Sequence, residues 1–101
     1  VLVRFTATAE RHVDEIHRWW VENRTASPGL FRAELSAQLN RLARAPAAGA
    51  IYAAYRGRFE VRRVILRRSG FHLYYTISTE ASELVVRAVW HAMRGHGLHL
   101  R

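Results

Sequence analysis

Residues 59–91 read FEVRRVILRRSGFHLYYTISTEASELVVRAVWH, and the alternation in this stretch decides the fold. Phe59, Val61, Arg63 and Ile65 alternate with Glu60, Arg62, Val64 and Leu66. Phe71, Leu73, Tyr75 and Ile77 alternate with His72, Tyr74, Thr76 and Ser78. Leu84, Val86, Ala88 and Trp90 alternate with Val85, Arg87, Val89 and His91. A period of two is that of a strand, whose successive side chains point to opposite faces. Arg67-Arg68-Ser69-Gly70 has turn chemistry, and Thr79 to Ser82 forms a second turn. Strands joined by turns this short must run antiparallel, so the stretch predicts a three-stranded meander.

Upstream the period becomes helical. Ala9, Val13, Ile16 and Trp20 form one apolar stripe, which predicts a helix from about residue 8 to residue 23 with Thr6 or Thr8 as its cap. Glu10, Asp14 and Arg18 lie on another face at four-residue spacing. Asn23 to Ala26 break the pattern. Ser27 before Pro28 predicts a second helix start, with stripe residues Phe31, Leu35, Leu39 and Leu42. Pro46 and Gly49 end that helix. The short link makes the two helices an antiparallel hairpin. The residues around Tyr52, Tyr55 and Gly57 read as a connection. Val1, Val3 and Phe5 alternate as an N-terminal strand. The expected fold is α+β: an N-terminal strand and a helical hairpin packed on a curved antiparallel sheet, in the order β-α-α-β-β-β. Residues 1–101 form one domain, with a tail loosened from about residue 95 by Gly95 and Gly97. The expected core sets Leu73, Leu84, Val86 and Trp90 against Ile16, Phe31, Leu35 and Leu39. Of the adjacent Trp19 and Trp20, one faces the sheet and the other is half exposed.

Half of the 101 residues are hydrophobic, which excludes a disordered chain, and the length allows one core. There is no cysteine, which removes disulfides, thiol catalysis and cysteine-ligated zinc. The apolar runs are too short to span a bilayer, and the N-terminal run lacks a signal-peptide pattern, so the expected location is cytoplasmic. All sixteen basic residues are arginine, against eight acids, for a net charge of +8. Residues 1–50 carry seven arginines and five acids; residues 51–101 carry nine arginines and three acids. A surplus concentrated in the second half attracts polyanions: DNA, RNA or an acidic protein segment.

The pieces, in their order, resemble the RelE/ParE family of bacterial toxins from type II toxin–antitoxin systems. The resemblance rests on Phe5-Thr6 leading into the first helix with Ile16, and on Pro28 opening a helix with Phe31 and Leu35. It runs on through Leu42 to Pro46-Ala47-Ala48-Gly49. Its strongest parts are Val61-Arg62-Arg63, Tyr74-Tyr75 and Val89-Trp90-His91-Ala92-Met93-Arg94-Gly95. Met93 stands where many members carry a basic residue. The resemblance implies a hairpin against a curved sheet and an acidic cognate antitoxin that wraps the toxin in a hetero-oligomer. It also implies one of two activities. RelE-like members cut mRNA on the ribosome; ParE-like members, the plasmid-stabilisation branch, poison DNA gyrase.

A metal-free ribonuclease needs proton-transfer groups and a cation over the phosphate. His91, at the end of the last predicted strand, is the candidate acid–base, Arg63 the cation, and Tyr75 or Tyr74 a base-stacking ring. Arginine is a poor proton shuttle. Glu60 reads as a salt-bridge partner of Arg62 or Arg87. His96 and His99 lack a third ligand, so no metal and no cofactor is expected. Missing lysines, a single acid–base histidine and a long hairpin favour the gyrase-directed branch. Arg87, Met93 and Arg94 are then the expected target contacts, and Trp19, Arg62, Arg63 and Arg87 the antitoxin contacts. The ribosome-dependent endoribonuclease is the alternative, and a non-catalytic nucleic-acid-binding or interaction module is the third reading.

Overall fold

The computed structural model describes residues 1–55 and 59–91. Strand β1 (Leu2–Phe5) leads into helix α1 (Ala7–Asn23) and helix α2 (Leu30–Arg44), then a 3-10 turn at Pro46–Ala48. Strands β2 (Ala50–Tyr55), β3 (Phe59–Leu66), β4 (Phe71–Ser78) and β5 (Glu83–His91) follow. One sheet results, ordered β1-β5-β4-β3-β2. The expected class and element order hold, with two additions. The supposed connection around Tyr52 and Tyr55 is a further strand, β2, antiparallel to β3. It sits at the sheet edge and shifts register between Ile51 and Ala53, so its sequence shows no clean alternation. The second addition is that β1 joins β5 in parallel, Leu2 opposite Glu83 and Phe5 opposite Val86. Links of only a few residues force β2 to β5 to alternate in direction; β1 meets β5 across the length of the chain and has no such constraint.

Thr6 caps α1 by accepting from the Ala9 amide at 3.1 Å. The second helix starts two residues later than Ser27-Pro28 suggests. Ser27 contributes its carbonyl and not its hydroxyl, accepting from Leu30 N at 3.2 Å and from Trp20 Nε1 at 2.7 Å. The hairpin covers one face of the sheet. There Ala9, Trp20, Phe31, Leu35 and Leu42 bury themselves against Val64, Leu66, Leu73, Leu84, Val86 and Val89, with Ile16 and Leu39 partly buried at the margin.

Trp90 is not part of that core. It packs on the opposite face with Val61, Tyr74 and Ala88. The cause is a bulge. Tyr74 pairs with Ala88 and Tyr75 with Val86, so the register shifts by one residue and Arg87 is the extra residue of β5. One extra residue reverses the phase of all that follow it. Val86 and Val89 therefore both face the helices, while Ala88 and Trp90 face away.

Strand β5 is longer than β1, and α1 serves the remainder of its edge. Thr6 N donates to the Val86 carbonyl at 3.0 Å, and the Thr6 hydroxyl donates to the Arg87 carbonyl at 3.4 Å. Val89 N donates to His12 Nδ1 at 3.2 Å. An edge amide that would otherwise lack a partner is thus satisfied by a helix side chain.

Two outcomes follow for stability. Leu35→Ala removes a buried side chain from the helix–sheet seam and costs about 2–5 kcal/mol by denaturant unfolding. His12 accepts through Nδ1, and burial holds its pKa below 6.5 despite the nearby Glu15, with Arg11 adding to the depression. As pH falls through 6.5, the unfolded chain takes up a proton that the folded chain refuses, so stability declines until the lower folded value is reached. His72, also depressed, adds to the slope in the same sense. His12→Gln keeps an acceptor for Val89 N and flattens part of that decline, as read by unfolding at about pH 8 and about pH 5.

Candidate functional site

The C-terminal half of α1, the β3–β4 turn and the end of β5 enclose a groove of about 530 Å³. Trp20 is buried at 5% exposure, whereas its neighbour Trp19 is 44% exposed and lines the groove. The Arg24 guanidinium lies 5.1 Å from the Trp19 ring centroid and 5.9 Å from that of Trp20. Such stacking favours a cation held against an aromatic wall. On the opposite side, the turn is fixed by one carboxylate. Glu34 of α2 accepts from Arg68 N at 2.7 Å, Ser69 N at 2.9 Å and Ser69 Oγ at 2.7 Å. Gly70 closes that turn at a φ of +87°, where a side chain would be strained. The Phe71 and His91 rings meet edge to face at 5.4 Å on the floor, and the His12 and Trp90 rings at 5.2 Å along the side.

A second surface lies on the sheet face turned away from the helices. The Arg63 guanidinium sits 5.1 Å over the Tyr52 ring, and Tyr52 meets Tyr74 at 4.9 Å. Arg87, the extra residue of the bulge, donates from Nε to Thr76 Oγ1 at 2.9 Å and lies 5.2 Å over Phe59. Burial, with Arg4 nearby, lowers the Arg87 pKa. His72 is pushed below 6.5 by burial first, then by Arg63 and His91. Burial raises the Tyr74 pKa, with Tyr52 adding to it. The described strand carboxylates are engaged: Glu60 pairs with Arg62 at 3.8 Å and Glu83 with Arg4 at 3.1 Å.

The residues of the ribonuclease reading do not share one face. Tyr75 is fully buried on the helix side; its hydroxyl donates to the Pro46 carbonyl at 2.6 Å and accepts from Gly49 N at 2.9 Å. A Cβ at Gly49 would stand 2.5 Å from that hydroxyl, so the close approach requires glycine. Tyr75 therefore cannot stack on a base. Arg63 belongs to the outer face and His91 lines the groove, since the bulge at Arg87 reverses the phase of β5, and both lie near enough to His72 to depress its pKa.

The expected antitoxin contacts are divided too. Trp19 lines the groove, while Arg63 and Arg87 lie on the outer face. Arg62 is a structural tie, donating to the Ala47 and Gly49 carbonyls at 3.2 and 2.8 Å. Met93, Arg94 and the tail from about residue 95 lie outside the described residues. Sequence reasoning missed Glu34 and His12. Glu34 carries no local signal, since its partners lie 34 and 35 residues away. His12 could have been found from its place beside the stripe residues Ala9 and Val13. Among the described residues no cluster of three or more metal-ligating side chains occurs, and no helix is long and apolar enough to cross a membrane.

The family model described as ParE toxin of type II toxin–antitoxin system, parDE, matches residues 3–95. The chain belongs to this family, and so to the RelE/ParE toxins. It is the toxin component of a type II pair, whose partner is a cognate antitoxin. No curated protein and no solved structure gives a significant match.

Tyr75→Phe separates structure from chemistry. It strands the buried Gly49 amide and costs roughly 1–3 kcal/mol in denaturant unfolding. Growth inhibition, corrected for the amount of folded protein, stays at the wild-type level.

Proposed function

We propose that this toxin arrests growth by binding DNA gyrase, without itself cutting a nucleic acid, and that an acidic antitoxin holds it silent in the cytoplasm. The observation that carries the reading is the scatter of the nuclease candidates. Tyr75 is spent on Pro46 and Gly49, Arg63 stacks on Tyr52 across the sheet, and His91 faces the groove. General acid–base catalysis requires such groups within hydrogen-bond reach of one reacting centre. Inhibition by binding requires only a complementary surface. Arginine, methionine and aromatic side chains are enriched in interfaces. Arg87 is the anchor proposed for the target, with Met93 and Arg94 following it in sequence.

The antitoxin is proposed to reach the groove beside Trp19 and the basic outer face at Arg63 and Arg87, forming a hetero-oligomer. Arg62 is not carried into this interface, since its Nη1 is committed to the Ala47 and Gly49 carbonyls. The net charge of +8 and the paired state of Glu60 and Glu83 favour an acidic partner.

His91→Ala tests the reading in cells. The variant is expected to keep its toxicity, with DNA replication stopping before protein synthesis falls. Removal of a catalytic acid–base group would instead cost about 10²–10⁴ in rate. Loss of toxicity with an intact antitoxin complex, together with early arrest of translation, would favour the ribosome-dependent endoribonuclease.

A further inference from the structure

Strand β3 runs to Leu66, but its edge partner β2 begins opposite Arg63. On the other side, β4 pairs as far as Leu66 opposite Phe71. Among the described residues no strand covers Val64 to Leu66 on the β2 side. The Leu66 carbonyl accepts from Gly70 N at 2.8 Å, so the polar groups of Leu66 turn toward β4. Lateral direction alternates along a strand, which turns the N–H and C=O of Ile65 toward the open side. This stretch of about 10 Å, at roughly 3.3 Å per residue, is an unfilled length of sheet edge.

The open edge borders a notch of about 290 Å³ between the start of β2 and α2. Arg41, Arg63 and Arg67 line it from α2, β3 and the following turn. Gln38 lines it as well, and its side-chain Oε1 is buried without a hydrogen-bond partner. Three features meet here: an open backbone donor and acceptor, an orphaned amide oxygen, and arginines contributed by α2 and the β3–β4 turn. Exposed edges attract added strands, and arginine suits carboxylates.

We infer that this notch receives an extended acidic peptide segment, which lies along β3 in line with β2, exchanges backbone hydrogen bonds with Ile65 and sets carboxylates against Arg41 and Arg67. Strand addition supplies affinity through the main chain and selectivity through charge. A peptide N–H entering the notch also supplies the donor that Gln38 lacks. Phosphate alone would satisfy the arginines but not the Ile65 carbonyl, which needs a donor. This site deepens, and rests on, the reading that an acidic antitoxin silences the toxin; it names the place and conformation of one contact.

The test uses the full chain, isotope-labelled for NMR, and a blocked peptide of alternating valine and glutamate titrated into the millimolar range. Exchange of the Ile65 amide should slow by about tenfold or more, and the Gln38 side-chain amide should shift. The same peptide N-methylated at alternate backbone nitrogens, with identical charge, should leave Ile65 unprotected. Arg41→Glu with Arg67→Glu should weaken binding of the unmethylated peptide by about tenfold. Equal binding of both peptides overturns the inference, because charge alone then explains it. Protection of Ile65 by a thymidine oligonucleotide of matched charge overturns it in favour of a phosphate site. No protection by any probe means that the edge is closed. The probe is neither gyrase nor antitoxin. A negative result therefore removes the notch and leaves the toxin reading standing, whereas failure of that reading is seen in gyrase assays.

Discussion

A single extra residue in β5 governs where the chemistry-bearing side chains of this toxin lie. Arg87 stands in a bulge between Val86, opposite Tyr75, and Ala88, opposite Tyr74. Without it, strict alternation would put Arg87, Val89 and His91 on one face. With it, Arg87 joins Thr76 and Phe59 on the outer face, while Val89 enters the core and His91 enters the groove. Bulges re-aim side chains in this way at the margins of sheets. Here the result is two separate surfaces in place of one convergent site.

The same strand holds the helices in position. Four residues of β1 pair with β5, and Thr6 and His12 satisfy the edge beyond them. That continuation docks α1 along the end of the sheet and forms one wall of the groove. Glu34 forms the other by fixing the Arg68–Ser69 turn to α2. Tyr75 and Arg62 close the opposite end of the hairpin, binding the chain at Pro46, Ala47 and Gly49 to the sheet. Residues whose type suggests catalysis thus turn out to be ties between layers. Buried polar groups of this kind are costly unless satisfied, and these are satisfied.

Much of this architecture was legible in the sequence. The alternation of 59–66, 71–78 and 84–91 gave β3, β4 and β5, and the stripes through Ala9–Trp20 and Phe31–Leu42 gave the hairpin and its buried face. Strand β2 was hidden because an edge strand with an internal register shift has no regular period. Trp90 was assigned to the wrong face because a bulge cannot be read from polarity alone: Leu84, Val86, Ala88 and Trp90 look like one face, and the phase changes at Arg87. The separation of His91 from Arg63 was hidden for the same reason. Long-range ties such as Glu34 to the β3–β4 turn leave no local trace.

On the function proposed above, this toxin binds gyrase and leaves RNA uncut. The most direct measurement places the purified chain in parallel in two reactions, supercoiling by purified gyrase and translation of a defined mRNA on ribosomes. The expected result is blocked supercoiling with an intact message. Uninhibited gyrase together with cleaved message would contradict it.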